Sequence, residues 1–548
     1  METLQATFTA LISQLRDASP GTWAFITISI FVLGLLQYRI LKMNFTFKIL
    51  AILVLQFSFG LILAKCSVYA LIVHVVVYLV PSLVVTLVLS LSNPLKRKKI
   101  QEGLFFEYET SQGRIRLTNP FRGICIFGGA GSGKTLSIIK PTIEQMARQK
   151  FTGVIYDYKK FDLCRMAYQQ YKDSDVVFRL VNFFELAYSH RVNPILPELL
   201  ESPAFANEAA SVLFTNLSRD GYKNNNESYF SEAAEAALSS VIWRLKEDFP
   251  EDCHLPMAIS ICLNQDYNRI ATFISKNKQA ALTGSTYIQS LVNPKQAVGV
   301  ISTVSSALRK LALPEIYYVL SGNEFSLDLN NPGTPTLLCV SNNQKLDKSF
   351  SPVIALLINM AIKQLNNEGK QQSVILLDEA ATLRVPGLEN VPATSRENKI
   401  VSIICFQDLA QGEDLYGRVG RDKLVANLAN QFYGRVAEPT TAERYSKMFG
   451  KVDRPYTSKT HKSWGWSNLS YTTSLRDTDQ FKPQVFLHLK PGEFYGILAQ
   501  AKKKQFNAIF KMNTYPHFSL PIIRTISLED VKFNFENILE RSEQLLNS

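Results

Sequence analysis

Eight consecutive residues, Gly128, Gly129, Ala130, Gly131, Ser132, Gly133, Lys134 and Thr135, spell Gly, four residues, Gly-Lys-Thr, the pattern of a phosphate-binding loop. Glycines let the backbone curl so that successive amides point at phosphate oxygens in front of a helix N-terminus. Lys134 would bridge the β and γ phosphates and Thr135 would ligate magnesium. A second run, SVILLDEA at 373–380, ends an apolar stretch in two carboxylates. Asp378 would hold the metal ion through water and Glu379 would polarise the attacking water. A third run, VSIICFQ, ends in Gln407, a candidate γ-phosphate sensor whose alternative reading is a loop contact or cap.

These residues need strands to carry them. GICIF before the glycine loop reads as a short buried strand and LSIIKPTIEQMARQ after it as a helix, with Pro141 expected to kink that helix. VIYDY, VVFRLVNFF and TPTLLCVS read as further strands of the same sheet. The order glycine loop, carboxylates, glutamine matches RecA-like motors, so the expected fold class is α/β with a RecA-like P-loop NTPase core, ATP and magnesium being its cofactors. The stretch from Thr135 to Asp378 exceeds what such a core needs, and from Pro203 to Leu320 apolar residues recur at three and four, which predicts an inserted all-α lobe.

The first hundred residues follow a different grammar. Residues 18–38 carry no charge, 49–64 form a shorter uncharged run between Lys48 and Lys65, and Cys66 to Leu95 hold no Asp, Glu, Lys or Arg. About 20 apolar residues suffice for a helix to cross hydrocarbon, so three spans are expected, near 18–38, 46–65 and 68–92. Arg39, Lys42 and Lys48, and then Lys96 to Lys99, place both basic clusters and everything after them on the cytoplasmic side. The expected division is a transmembrane anchor at 1–99, a first motor segment at 100–200, the all-α lobe at 201–322, and a second motor segment at 323–548 that includes a C-terminal helix.

Composition agrees without selecting a substrate. The 548 residues have 46% hydrophobic content and a formal net charge of +12, which favours phosphate-rich partners or anionic lipid. Seven cysteines stand singly, with no spacing that assembles a zinc site, as buried thiols of a reducing compartment do. From Arg454 to Lys482 basic and aromatic residues interleave, among them Tyr456, Lys459, Trp464, Trp466, Tyr471 and Arg476. The segment reads either as a nucleic-acid-contacting loop or as a flap packed on a neighbour.

With those residues in place the chain resembles the type IV coupling proteins of conjugation and type IV secretion. The likeness rests on the glycine loop, DYKKFDL at 157–163, RVNPI at 191–195, LLDEAATL at 376–383, CFQDLAQGEDLYG at 405–417 and TAERYSKMFG at 441–450. Lys160 and Phe161 stand where the family often has Gly-Glu, and Asp408 where Ser often follows the glutamine. The resemblance implies a homohexamer in the bacterial inner membrane, multi-pass, with its motor in the cytoplasm and ATP bound between subunits. It implies hydrolysis-driven transfer of relaxase-bound DNA or effector proteins to the components of a type IV secretion channel, sequence-tolerant in its DNA contacts. An arginine from the adjacent subunit is expected at the γ-phosphate, with Arg396 ranked before Arg435 and Arg444. The competing reading is an ATP-gated membrane receptor for protein effectors that pumps no DNA.

Overall fold

The computed structural model describes residues 104–218, 225–461, 469–501 and 504–548, together with Thr9, Ser13 and Pro20. The three expected membrane spans lie outside the described residues. Among the described residues no helix is long and apolar enough to cross a membrane. Leu104–Ser548 form one unit of the chain.

In chain order the strands and helices begin with the hairpin β1 (Phe106–Thr110) and β2 (Gly113–Leu117), then β3 (Ile124–Phe127). A single wide turn at Thr135–Ile139 leads into α1 (Lys140–Arg148), followed by β4 (Thr152–Asp157), α2 (Asp162–Tyr171) and β5 (Val177–Val181). Eight helices come next: α3 (Pro203–Leu217), α4 (Asn225–Asp248), α5 (Leu255–Cys262), α6 (Tyr267–Ser275), α7 (Lys278–Thr283), α8 (Ser285–Ser290), α9 (Pro294–Leu308) and α10 (Pro314–Leu320). The chain then alternates again through β6 (Thr336–Ser341), α11 (Asp347–Leu365), β7 (Ser373–Leu377), β8 (Ile400–Phe406), α12 (Leu409–Asn427), β9 (Asn430–Tyr433) and α13 (Pro439–Met448). It closes with β10 (Lys451–His461), β11 (Leu469–Asp479), β12 (Glu493–Ile497), β13 (Gln505–Ile509) and α14 (Leu528–Asn547).

Every residue of β3, β4, β6, β7, β8 and β9 is buried, the signature of strands covered on both faces. They belong to a nine-stranded sheet of order β13-β12-β9-β3-β8-β7-β4-β6-β5. The seven strands from β9 to β5 are parallel, and β12 and β13 extend the β9 edge antiparallel. Alternate residues of β3 feed two cores. Ile124 and Ile126 join Ile143, Met146 and Leu163 of α1 and α2, while Cys125 and Phe127 face the core that continues through α11 into the eight helices. That alternation is the strand period of two, and it places helices on both faces of the sheet.

The helical run after the glycine loop departs from α geometry immediately before Pro141. Lys140 N–H bonds to Thr135 O, a five-residue step that widens the turn just before the proline, and Pro141 sits in the first turn of α1, where its missing donor costs least. The C-terminal helix α14 starts with a reciprocal capping box between Ser527 and Asp530. It packs on α5, α6 and α10, with Tyr317 and Phe535 rings 4.7 Å apart, Arg541 to Asp252 at 2.8 Å and Arg269 to Glu543 at 3.0 Å. The end of the chain therefore docks on the helical insertion, where Ile538, Leu545 and Leu546 are buried in its core.

Candidate functional site at the nucleotide edge of the sheet

In a parallel sheet all carboxyl ends lie along one edge, so the loops after β3, β7 and β8 converge by construction. The sheet order sets their spacing. β8 lies between β3 and β7, and with strands about 4.8 Å apart the glycine loop and the Asp378-Glu379 pair start about 10 Å from each other.

The glycine loop is held from behind. Gly129 N–H bonds to Arg435 O at 2.7 Å, Gly492 N–H to Ser132 O at 2.9 Å, and Gly128 N–H to Phe406 O at 3.2 Å. Two positions require glycine outright. Gly131 and Gly133 have φ of 73° and 91°, and a Cβ on Gly133 would stand 2.6 Å from the Gly492 nitrogen. Ser132 Oγ and Ser137 Oγ are buried without a hydrogen-bond partner among the described residues, Ser132 close against Gly128 and Ser137 close against Gly133 and Gly492. Arg435 and Gly492 escape sequence reading because they act through backbone atoms from the ends of β9 and β12. Only the paired glycines Gly434 and Gly492 flanking those strands hint at a close approach.

Lys134 is buried, and its Nζ donates to the Phe406 carbonyl at 2.8 Å, an ammonium tied to the end of β8 beside Gln407. Asp378 and Glu379 are buried too. Burial raises the Asp378 carboxyl above its usual range, with Lys159 and Lys134 opposing. Burial pushes Glu379 up to about 7, against the pull of Lys134 and of hydrogen bonds from Gln407. One of these is the Gln407 backbone N–H to Glu379 Oε1 at 3.3 Å, so the carboxylate and the glutamine are physically linked. Thr135, half-buried, opens the wide turn directly after Lys134. Lys134, Asp378, Glu379 and Gln407 thus meet on one edge.

Other sequence candidates fall elsewhere. Asp157, fully buried at the end of β4, accepts backbone N–H groups from Lys159, Leu163 and Cys164 at 3.0, 2.8 and 3.0 Å, and burial raises it to about 6. It ties the loop ahead of α2 and presents Lys159 to Asp378. Lys160 and Phe161 both have positive φ, 47° and 69°, which explains why glycine suits the first of these positions. Asp408 is the N-cap of α12, accepting from Gln411 N–H at 2.9 Å, the same bond a serine cap makes. Arg435 reaches Ala130 O of its own glycine loop at 3.4 Å, and Arg444 pairs with Glu413 at 3.2 Å. Arg396 is exposed just before β8, at the end of that strand away from the glycine loop, so it is not brought to its own subunit's site.

The loop after Glu379 is tied from three sides. Tyr156 of β4 shares a hydrogen bond with Thr382 at 2.8 Å, and Tyr416 of α12 donates to Leu383 O at 2.7 Å. Asn216, buried near the end of α3, makes a two-way bond with Arg384, donating to its carbonyl at 2.8 Å and accepting from its N–H at 3.0 Å. α3 is the first helix of the insertion, so the insertion is wired to the backbone five residues past the carboxylate. An isolated buried Asn in a helical run gives no such signal in sequence.

Comparison with known proteins completes the picture. A family profile described as "Type IV secretory system Conjugative DNA transfer" matches residues 88–490. Among solved structures, the bacterial conjugative coupling protein TrwBdeltaN70 is similar with a TM-score of 0.57 at 14% identity, over 77% of this chain and 92% of that one. The plasmid coupling protein TrwB in complex with ADP and Mg2+ is similar with a TM-score of 0.58 at 13% identity, over 78% of this chain and 93% of that one. No curated protein sequence matches the chain.

Proposed function

This chain belongs to the conjugative DNA transfer family of type IV secretion, the type IV coupling proteins, and from that premise we propose that it is a membrane-anchored motor with a RecA-like core that hydrolyses ATP to move substrate towards a secretion channel. The observation that carries the reading is the convergence of Lys134, Asp378, Glu379 and Gln407 in the strand order β3-β8-β7.

Each residue then has a task that its surroundings suit. The loop amides from Gly129 to Thr135 cradle the phosphates, and Lys134 leaves the Phe406 carbonyl for the β and γ oxygens. Thr135 and Asp378 would hold magnesium, which when bound offsets the charge building on the phosphate oxygens. Glu379, with its carboxyl held near neutrality, orients the attacking water and takes its proton. Gln407 senses the γ-phosphate and passes its position to Glu379 through their shared hydrogen bond. Because Arg396 faces away from its own site, its role would be in trans, in the site of a neighbouring subunit of a homohexamer.

Around this centre we place the anchor at 1–99 in the bacterial inner membrane, motor segments at 100–200 and 323–548 in the cytoplasm, and the helices of 201–322 as the substrate-facing lobe. DNA, relaxase-bound or with effector proteins, is the proposed cargo, in line with the family's description. The test is ATP hydrolysis by the full chain in nanodiscs beside Lys134→Ala and Glu379→Gln, with and without single- and double-stranded DNA. Hydrolysis lost in both variants and raised by DNA is expected. Hydrolysis indifferent to DNA would favour a protein-effector receptor, and none in assembled hexamers would end the motor reading.

A further inference from the structure

Among the described residues β10 and β11 pair only with each other, in register from Lys451 with Asp479 to His461 with Leu469. Eleven-residue strands at about 3.4 Å per residue make an arm of roughly 35 Å. Residues 453–458 and 471–477 are exposed, so both faces of the ribbon are open where its side chains are described. Along these residues the ribbon does not pack as a flap on its own chain. A two-stranded ribbon exposed over this length is marginal in water, and a partner laid along it would offset that.

The charges say what. Between Asp453 and Asp477 there is no carboxylate, while Arg454, Lys459, Lys462 and Arg476 lie in that interval. The acids stay at the base, where Lys451 pairs with Asp477 at 3.2 Å. Beyond it, Arg454 and Arg476 face each other directly across the strands, a like-charge pair that destabilises a free hairpin. Arg476 lies 4.0 Å above the Tyr456 ring on the same face, where the register also places Ser458, Thr472 and Ser474, while Thr457 and Thr473 pair on the other face. Two arginines on one face, one guanidinium over a planar aromatic and the other on the Gln480 carbonyl at 3.2 Å, with small donors beside them, match a polyanion contacted along its length. A second copy of this chain, itself carrying a net charge of +12, offers no comparable complement.

We propose that the β10–β11 arm binds the phosphodiester backbone of DNA, with Arg454 and Arg476 as its phosphate contacts. The assignment rests on the DNA-transfer reading above and adds to it where the strand is held. The experiment is fluorescence anisotropy of the full chain in nanodiscs with labelled single- and double-stranded oligonucleotides across 50–200 mM salt, conditions in which phosphate contacts dominate affinity. The Arg454→Ala/Arg476→Ala variant should weaken binding about tenfold and flatten the salt slope by between about 1.4 and 1.8, two contacts' worth for single strands and duplex respectively. Arg454→Lys/Arg476→Lys should keep most of the slope, which a merely structural role of the arginines would not do. Basal hydrolysis should be unchanged in both, showing that the arm acts on cargo and not on the nucleotide site. Wild-type chain that binds DNA while the alanine variant matches it in affinity and slope would overturn the assignment, as would a variant whose only defect is loss of the hexamer by mass photometry. Wild-type hydrolysis without DNA binding would overturn it while sparing the ATPase reading.

Discussion

The nucleotide edge of the sheet and the β10–β11 arm are opposites in construction. At the edge, carboxylates and an ammonium are buried, bonded to backbone and held by several elements. On the arm, residues 453–458 and 471–477 are exposed, and among the described residues its strands pair only with each other. Fixed geometry is what catalysis needs, because donors aimed in advance lose nothing on reorganising. An arm that grips a repeating polymer needs charge and reach, and sequence-tolerant contacts survive loose placement. Substitutions should therefore act by geometry at one place and by charge at the other.

The largest effect should come from Lys134→Ala, which removes the ammonium that we propose binds the phosphates. A hundredfold or greater loss of kcat is expected, worth about 3 kcal/mol, with little change in Tm. A variant that still hydrolyses ATP would break the comparison at its rigid end.

Glu379→Gln should be nearly as damaging to kcat and should reveal the burial penalty in stability. The Glu379 carboxyl is raised from its ordinary 4.5 to about 7, so the folded protein holds a proton that the unfolded chain releases. Its contribution is complete below about pH 4.5 and is lost as pH climbs through about 7. The glutamine variant without nucleotide should therefore gain up to about 3 kcal/mol at pH 8 relative to wild type, and almost nothing at pH 4.5. Urea titrations at the two pH values measure it, and a pH-independent difference would show that burial does not govern this carboxyl.

Asn216→Ala should cost about 1–3 kcal/mol by removing both bonds that this buried side chain makes to the Arg384 backbone. If the insertion signals to Glu379 through this bond, stimulation of kcat by DNA should fall while KM for ATP holds. Equal loss of basal and stimulated rates would reduce Asn216 to a packing role.

The smallest effect sharpens the comparison between rigid and strained backbone. Lys160→Gly, at φ 47°, should stabilise the fold by about 0.5–1 kcal/mol, since glycine occupies that conformation without a steric penalty. Thermal unfolding in excess nucleotide would read it.

Legibility in the sequence followed the range of the interactions. The glycine loop, the strand ending in Asp378-Glu379 and the strand ending in Gln407 were readable because each is a local run with its own period and punctuation. The same holds for the helical character of the long insertion. Pro141 marks where the helical run departs from α geometry, but the form of that departure, a wide turn just upstream, leaves no residue signature. The arginines could be listed but not sorted, since whether a guanidinium touches its own loop, as Arg435 does, or a carboxylate, as Arg444 does, depends on chain segments far away in sequence.

What the sequence determined by itself is which chemical groups exist and which short segment carries each. What only the tertiary structure decided is their company: β8 between β3 and β7, Gly492 behind the glycine loop, Asn216 on the Arg384 backbone, α14 on the helical insertion, and Arg454 opposite Arg476. The division has one physical cause. Backbone periodicity and turn chemistry act between near neighbours and are written in every segment, whereas strand order and side-chain company arise when distant segments bury apolar surface together, and that choice belongs to the whole chain.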